Sequence, residues 1–427
     1  MKNFVSLLVN MSQLESVVAS SDDLLIKGLH YASSQTSSYI TSRSSASFPP
    51  NTASDFKPSG SRLMRFSLAQ ESGWIDPSTV RLLFKITNLS PTSTLYPVTD
   101  SPASMFRSLR LIASGSAELE RIDDYGRTHR MMSELLPSAR RYNDILESWG
   151  GSSADSMLSS PATPDHIGPD SERTVCVHLL SGLFGQSKML PLSYLPLTLE
   201  LELGEADDAF AGPGNVWHIS RPRLCCDVLQ LDTSLVNSYS NHLLSSKSLP
   251  ILFQGMHSIK ASIPAGSSQY TLAVARGFSR LRGIMITMFA EDGSKFNNTF
   301  YSPLAGLENI SANDSFEYHV TIGSQRFPDF SVDSHQESFM RLRMSKLIHH
   351  GNDSVSISPA GFRNNKFITA LSFEKAASQT SHSGQNTRSG SQLTIHTKNT
   401  NSATMLHVVM LYDAVADINL SGTTVLD

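Results

Sequence analysis

The stretch Val-Arg-Leu-Leu-Phe-Lys-Ile-Thr, residues 80–87, decides the fold class of this chain. Successive side chains of a β-strand point to opposite faces, so the apolar residues at positions 80, 82, 84 and 86 share one face. Arg81 and Lys85 lie on the other face. A register slip of one residue would bury both cations, whereas the correct register buries apolar area worth roughly 6–12 kcal/mol before the entropy cost. The stretch therefore predicts a strand whose apolar face is covered by a second sheet.

Strands of this kind, bounded by turn residues, recur along the whole chain. In the first half they are predicted near residues 62–70, 80–87, 105–113, 118–122, 174–180, 197–203 and 217–231. In the second half they are predicted near residues 253–263, 270–275, 281–289, 316–323, 366–373, 392–398 and 404–412. Residues 62–70 and 80–87 are expected to pair as a hairpin across the turn Trp-Ile-Asp-Pro at 74–77.

Apolar residues at helical spacing interrupt the strands in both halves. Helices are predicted at residues 125–136 and 139–149 in the first half, and at 333–349 in the second. A further helix at 232–247 carries an apolar stripe, residues 235–244, which is expected to pack between the two halves. The order strands, helix, strands therefore occurs twice.

The length of 427 residues exceeds the size at which a single core stops growing, about 250 to 300 residues, and predicts two domains. Long polar loops that carry helices favour jelly rolls over immunoglobulin sandwiches. We predict an all-β chain of two tandem eight-stranded jelly rolls with helical insertions in loops. The predicted divisions are an N-terminal arm (1–58), a first jelly roll (59–232), a linker helix (233–250) and a second jelly roll (251–427).

A weak internal likeness also suggests duplication. Residues 106–110 read Phe-Arg-Ser-Leu-Arg, and residues 278–282 read Phe-Ser-Arg-Leu-Arg. If the halves are duplicates, these two segments are expected at equivalent places in the two jelly rolls.

Composition excludes several classes of function. A net charge of −4 at pH 7 gives no broad cationic field, so direct binding to nucleic acid is not expected. No stretch approaches the about eighteen apolar residues that span a bilayer. Cys176, Cys225 and Cys226 lack the Cys-x-x-Cys spacing of a zinc site and are interpreted as small buried residues in a reducing compartment.

A search for catalytic or metal-binding arrangements finds none that is convincing. The His-x-His pair of metal-dependent jelly-roll enzymes, His-Glu-x-x-His and Gly-x-Ser-x-Gly are all absent. The pair His349 and His350 is interpreted as the cationic end of a helix. Three carboxylate pairs are interpreted as solvated charge and not as a glycosidase-like site: Asp123 with Asp124, Asp207 with Asp208, and Glu200 with Glu202. We predict no catalytic, cofactor-binding or metal-binding residue.

The arginines and the aromatic residues are the remaining candidates for a binding surface. Four arginines cluster on the helices after residue 124, namely Arg127, Arg130, Arg140 and Arg141. They are interpreted as an exposed helix face or as partners in salt bridges between subunits, with phosphate or an acidic neighbour as the alternative. The aromatic side chains are scattered and are expected to pack in cores: Trp74, Phe106, Trp149, Trp217 and Phe289.

Four segments follow one another in a characteristic order: Trp74-Ile75-Asp76-Pro77 leading into residues 80–88, the run 106–125 with Glu118, Leu119, Glu120, Ile122 and Tyr125, Leu190-Pro191-Leu192 before residues 197–203, and Leu411-Tyr412-Asp413. This order of elements resembles the double jelly-roll major capsid proteins of polinton-like viruses, adintoviruses and virophages. The resemblance covers roughly residues 60–420 and rests on the order of these segments.

The resemblance implies a structural protein of a DNA virus with no enzymatic activity and no cofactor. Its two jelly rolls would stand side by side, and three copies would form a pseudo-hexameric capsomer of an icosahedral shell. The implied partners are the chain itself as a homotrimer, neighbouring capsomers, a penton protein, minor capsid proteins and an inner membrane reached through the N-terminal arm. The implied location is the virion capsid, assembled inside the host cell.

Two other classes of function remain open from the residues alone. Asn-x-Ser/Thr triplets and the β architecture suit a secreted or surface carbohydrate-binding jelly-roll protein. The triplets begin at Asn10, Asn88, Asn297, Asn309, Asn313, Asn352 and Asn419. A hydrolase using the paired carboxylates is the weaker alternative, because nothing in the sequence places two of them in one cleft.

Overall fold

A computed structural model describes the chain over twelve ranges. They are residues 39–69, 73–113, 117–150, 166–211, 215–264, 267–289, 300–303, 316–350, 354–375, 384–388, 390–398 and 405–427. The chain divides into two compact units, residues 1–41 and 42–427. The first unit is described only at residues 39–41, so the account below concerns the second. No helix among the described residues has both the length and the apolar character needed to cross a bilayer.

The first jelly roll is made of eight antiparallel strands in two sheets. The strands are β1 (Ile40–Phe48), β2 (Leu63–Leu68), β3 (Trp74–Asn88), β4 (Phe106–Ala113), β5 (Glu118–Asp123), β6 (Glu172–His178), β7 (Leu197–Leu203) and β8 (Trp217–Leu231). Sheet A has the order β1-β8-β3-β6, and sheet B has the order β2-β7-β4-β5. The short strands Asp55–Phe56 and Leu190–Pro191 extend sheet A, and Tyr96–Pro97 pairs with Phe210–Ala211.

The second jelly roll repeats this topology strand for strand. Its strands are β9 (Leu249–Ser262), β10 (Gln269–Val274), β11 (Leu281–Phe289), β12 (Glu317–Ile322), β13 (Gln325–Val332), β14 (Ile368–Ser372), β15 (Leu393–Lys398) and β16 (Met405–Asn419), followed by β17 (Gly422–Leu426). Sheet C has the order β9-β16-β11-β14, with β17 paired to β16, and sheet D has the order β10-β15-β12-β13. Adding eight to each strand number of sheets A and B gives sheets C and D. The prediction of two tandem eight-stranded jelly rolls is confirmed.

The helices lie in the connections, as predicted. They are α1 (Tyr125–Glu134), α2 (Ser138–Ser148), α3 (Gly182–Gly185), α4 (Ala206–Ala209), α5 (Thr233–Leu244), α6 (His335–His350) and α7 (Pro359–Asn364), with a 3₁₀ turn at Pro102–Met105. The pair α1 and α2 connects the fifth and sixth strands of the first roll, and α6 and α7 connect the fifth and sixth strands of the second. Each roll therefore carries its helical insertion at the same point.

Alternation of burial along the strands builds the cores. In β3, Leu82, Phe84 and Ile86 are buried, and the residues between them are only half-buried. In sheet B, Leu199 of β7 lies opposite Phe66 and Leu111, and all three are buried. Phe84 of sheet A meets Phe106 of sheet B edge to face with ring centroids 6.0 Å apart, so the two sheets enclose one core.

Two local predictions in the first roll are wrong. The segment 74–77 is not a turn but the start of β3. Where β3 pairs with β8, the pairing register shifts between Cys225 and Asp227 of β8. The expected hairpin does not form, because β2 lies in sheet B and β3 in sheet A. In the first roll, strands consecutive in sequence lie in opposite sheets except for β4 and β5, which pair in sheet B, so sequence proximity alone does not imply pairing.

Two further expectations differ in detail. Residues 106–110 begin β4, the fourth strand of the first roll, whereas residues 281–282 begin β11, the third strand of the second, so the suggested internal likeness joins places that are not equivalent. The helix between the rolls ends at Leu244, and Pro250 lies in β9. Its apolar stripe is mostly half-buried, with Tyr239 against Trp74 of the first roll.

The segment expected as an N-terminal arm carries two strands of sheet A. β1 lies at the edge of that sheet, and the short strand Asp55–Phe56 pairs with β8. Phe48 and Phe56 are buried in the first core. The Ser-rich sequence of β1 resembles a linker because almost all of the strand is exposed. The sequence also predicts a short helix at residues 22–30, and these residues lie outside the described ranges.

Candidate functional site: the junction of the two rolls

The most extensive contact outside the two cores is the junction where the first roll meets the second. The first roll contributes α1, α2, α3 and β5, and the second contributes β9, β11, β16 and the segment around Ser356 and Lys366. Strands β11 and β16 contact the first roll with the face that points away from the core of their own roll. All of β11 and residues 405–414 of β16 are therefore buried on both faces.

A close backbone approach fixes α3 against β9. Gly182, the first residue of α3, donates its backbone N–H to the carboxylate of Glu120, with distances of 2.9 and 3.0 Å to the two oxygens. A Cβ at Gly182 would lie 1.8 Å from the carbonyl oxygen of Gln254 in β9. Ser181 donates its hydroxyl to the same carboxylate at 2.5 Å. Burial raises the pKa of Glu120 above its usual value, although these hydrogen bonds act in the opposite direction.

A buried ion network holds α1 and α2 together and reaches the second roll. Arg130 contacts Asp100 at 2.6 Å and Glu134 at 2.5 Å, and Arg141 contacts the same two carboxylates at 2.5 and 2.6 Å. Lys366 of the second roll lies 3.0 Å from Glu134. Burial raises the pKa of Asp100, but the charges of Arg130 and Arg141 outweigh this and hold it well below its usual range.

The network has one more cation than anions among these five side chains. Burial lowers the pKa of Lys366, and the charge of Glu134 partly offsets the effect. Ser356 of the second roll donates its hydroxyl to the backbone carbonyl of Glu134 at 2.9 Å. Glu134 is therefore the group through which the helical insertion of the first roll is joined to the second.

The junction also contains a set of contacts around the buried imidazole of His407. The imidazole nitrogens of His407 lie 3.3 Å from the hydroxyls of Thr128 in α1 and Thr287 in β11. The guanidinium of Arg127 lies 3.5 Å from the centre of the Phe289 ring, a cation–π contact across the two rolls. Burial, with smaller effects from Arg127 and Lys260, lowers the pKa of His407 to about 3, so this imidazole is neutral in the folded chain at neutral pH.

The depressed pKa of His407 predicts a loss of stability in acid. Above pH 6.5, the ordinary pKa of histidine, both folded and unfolded chains carry it neutral; below that value only the unfolded chain takes up the proton. At about pH 5.5 this one residue is expected to cost roughly 1 kcal/mol. Replacing His407 by Asn should reduce by that amount the difference in unfolding free energy between about pH 7.5 and 5.5, measured by urea denaturation. An unchanged difference would contradict a neutral buried His407.

The predicted arginine cluster is divided by the structure. Arg140 is exposed, but Arg127, Arg130 and Arg141 are buried. The interpretation as an exposed helix face is wrong for these three, because Asp100 and the second roll cover the helices that carry them. The alternative of an acidic neighbour holds for Arg130 and Arg141, whose neighbours are Asp100 and Glu134.

The carboxylate pairs lie on separate elements. Asp123 pairs with Arg121 at 3.0 Å, and Asp208 takes part in the capping box that begins α4. Glu200 is buried on the outer face of sheet B because Arg65 and Arg110 of the two neighbouring strands cover it. Over the described ranges, no group of three or more histidine, cysteine or acidic side chains is arranged to hold a metal ion. The side chains of residues 349 and 350 lie outside the description.

Three of the five aromatic residues pack in the core as expected, namely Phe106, Trp149 and Trp217. Trp149 and Trp217 both pack against Phe210, with ring centroids 5.9 and 5.6 Å away. Trp74 packs against Tyr239 of α5 instead, and Phe289 lies in the junction. The expectation of buried cysteines is correct for Cys226 and wrong for Cys176 and Cys225, which are half-buried; burial raises the pKa of Cys176 to about 11 and that of Cys226 to about 12.

Sequence reasoning missed Gly182, Glu134 and His407 as junction residues. For His407, a usable signal was present in the strand that carries it and in the neighbouring strand β11. Residues 281–289 and 405–412 are almost continuously apolar and do not alternate, which is typical of strands buried on both faces.

The sequence matches no protein-family model and no curated protein. The fold does have relatives among solved structures. The Faustovirus major capsid protein matches with a TM-score of 0.61 and 7% identity, over 91% of this chain and 92% of that one. The PBCV-1 protein VP54, fitted into a reconstruction of the virophage Sputnik, matches with a TM-score of 0.60 and 12% identity, over 91% and 97%.

The structure of the Sputnik virophage gives a further match, with a TM-score of 0.55 and 11% identity over 91% of this chain and 89% of that one. At these identities the comparison establishes the fold. The chain has the double jelly-roll fold found in viral major capsid proteins, and the resemblance inferred from the order of elements is confirmed at that level.

Proposed function

We propose that this chain is a viral major capsid protein, located in the virion capsid and assembled inside the host cell. In this proposal three copies form a pseudo-hexameric capsomer of an icosahedral shell. The observation that carries it is the strand-for-strand repetition of one jelly roll, with both copies joined by a buried junction. The matched structures that share this fold are described as major capsid or virus structures.

Two equivalent rolls in one chain suit a ring of three chains. Six similar bodies around one axis need only a threefold symmetry operator when each chain supplies two of them. Such obligate interfaces commonly bury about 2,000 Å² or more, so a lone protomer is expected to be poorly soluble. The proposed role is structural. The charged side chains described above form ion pairs with one another, such as Arg130 with Asp100 in the junction and Arg65 with Glu200 in sheet B, and these pairs stabilise the fold.

The partners that go with this role are other copies of the chain and neighbouring capsomers. A penton protein and minor capsid proteins would complete the shell. An inner membrane would be contacted through the N-terminal segment within residues 1–58. The net charge of −4 gives no reason to add a nucleic acid to these partners.

One of the triplets that favoured a glycosylated carbohydrate-binding protein is not available for glycosylation. Asn88, which begins one of the triplets, is buried, and its side-chain amide donates to the carbonyls of Ser93, Ile167 and Gly168 at 2.8–3.2 Å. A glycan on this nitrogen would require the turn around it to unfold. No observation in the described residues favours a sugar site in its place.

The proposed homotrimer has a simple test. Light scattering coupled to size-exclusion chromatography should give a mass about three times the 46.7 kDa of the chain. Negative-stain images of the same peak should show particles with threefold or sixfold outlines. A mass of one chain at every concentration, or an open fibre, would contradict the proposal, because a protomer with unsatisfied flanks should close into a ring.

A further inference from the structure

Equivalent strands of the two rolls differ in how they are covered. In sheet C, β11 and residues 405–414 of β16 are buried on both faces, because the first roll lies on their outer side. In sheet A, the equivalent strands β3 and β8 alternate, and Arg221 and Arg223 of β8 are exposed. Residues 42–45 of the edge strand β1 are exposed as well. The outer face of sheet A is therefore only partly covered, by α2 near β6, whereas the equivalent face of sheet C is covered by the first roll.

The opposite side of the junction shows the same asymmetry. The insertion of the first roll is covered: Met131 is 0% exposed and Met132 7%, and Leu119 and Ile122 of β5 are buried. The equivalent insertion of the second roll is bare. Met340 and Met344 of α6 are 46% and 55% exposed, and Phe330 of β13 is 85% exposed. Large apolar side chains at such exposure mark a contact surface.

An apolar groove lies within this bare surface. It has a volume of about 550 Å³ between α6 and α7, and Phe339, Met344, Ile357 and Phe362 contribute to its walls. Methionine side chains fill irregular spaces well, which suits them to a surface that is buried on assembly. Each chain therefore contains one complete junction. It also presents two separate surfaces, sheet A and the α6–β13 surface, which correspond to the two sides of that junction.

We propose that these halves meet between copies: the α6–β13 surface of one chain lies against sheet A of the next, in the way that α1 and β5 lie against sheet C within the chain. This inference rests on the proposed function and specifies its contact. The occupant of the α6–β13 surface is a second copy of the chain. Within the chain, sheet C covers the insertion of the first roll, and sheet A is the equivalent of sheet C. The contact is heterologous, joining different surfaces of the two chains, and it closes when the last copy meets the first.

Photo-crosslinking tests which surfaces meet. Phe330 or Met344 is replaced by p-benzoylphenylalanine, and isotopically labelled and unlabelled copies are mixed before assembly so that crosslinks between copies can be recognised by mass. Both side chains are well exposed, so neither replacement should disturb the fold. The expected crosslinked peptides come from residues 40–48, 74–88 or 217–231 of the neighbouring copy. Their yield should exceed that of the control at least about tenfold.

The control is the same replacement at Leu244 of α5, which is 67% exposed but lies outside both surfaces. Trimers whose probes at 330 and 344 link to α6 or β13 of another copy, or link to no other copy, would overturn the inference while leaving the proposed function intact. A solution mass of a single chain would instead overturn the proposed function, and this inference with it. Links from 330 and 344 to sheet A in a trimer support both.

Discussion

Replacing Gly182 by alanine is expected to open the junction between the two rolls. The added Cβ would lie 1.8 Å from the carbonyl oxygen and 2.6 Å from the carbonyl carbon of Gln254, and real contacts of this kind essentially never fall below 3.0 Å. The obstacle is backbone of β9, so no side-chain rotation relieves it, and α3 and β9 must separate by about 1 Å or more. We expect a loss of about 3 kcal/mol of unfolding free energy, at the upper end for overpacking.

The same helix provides the matched control. A Cβ at Gly185 would meet nothing within 4 Å, so Gly185→Ala should be neutral or slightly stabilising, since alanine favours helices over glycine by up to about 1 kcal/mol. Hydrogen exchange locates the effect: amides of residues 249–262 should exchange faster in Gly182→Ala and remain as in the native chain in Gly185→Ala. Equal stability of the two variants would show that the rolls tolerate separation at this point.

The sequence predicted the strands that have one face in a core and one face outside it. Residues 80–87 and 197–203 alternate because each packs one face against the opposite sheet and leaves the other largely uncovered. The sequence did not allow us to predict which strands pair with each other. β1 and β8 are neighbours in sheet A although about 180 residues separate them, while β2 and β3 are consecutive and lie in different sheets. Alternation reports the environment of a strand and carries no information on its partner.

The junction escaped prediction for a related reason. Arg127, Arg130 and Arg141 lie at helical spacing on polar helices, a pattern that is typical of a solvated face. Their burial depends on Asp100, on Phe289 and on Lys366, which lie between about 30 and 230 residues away. Only the lack of alternation in residues 281–289 and 405–412 points to a second covering layer, and it does not identify the layer.

Replacing Glu134 by glutamine should produce a large loss of stability. The substitution preserves the shape of the side chain but leaves two buried arginines, Arg130 and Arg141, with Asp100 as their one remaining carboxylate. The half-buried Lys366 loses its carboxylate partner in the network. Removing one partner of a buried ion pair costs about 3–5 kcal/mol, because an uncompensated charge stays in a medium of low polarity. Urea denaturation should show this loss, and amides around residue 366 should exchange faster because Lys366 loses its contact with the first roll.

The control is Glu337 on the equivalent insertion of the second roll. Its carboxylate pairs with Arg341 one helical turn away, and both side chains are about 30% exposed. Glu337→Gln should therefore cost no more than about 0.5 kcal/mol. Adding Lys366→Met to Glu134→Gln removes one of the uncompensated cations and should restore part of the stability. If Glu134→Gln costs as little as Glu337→Gln, the buried charges do not join the rolls, and apolar contacts such as those around Phe289 must hold the junction instead.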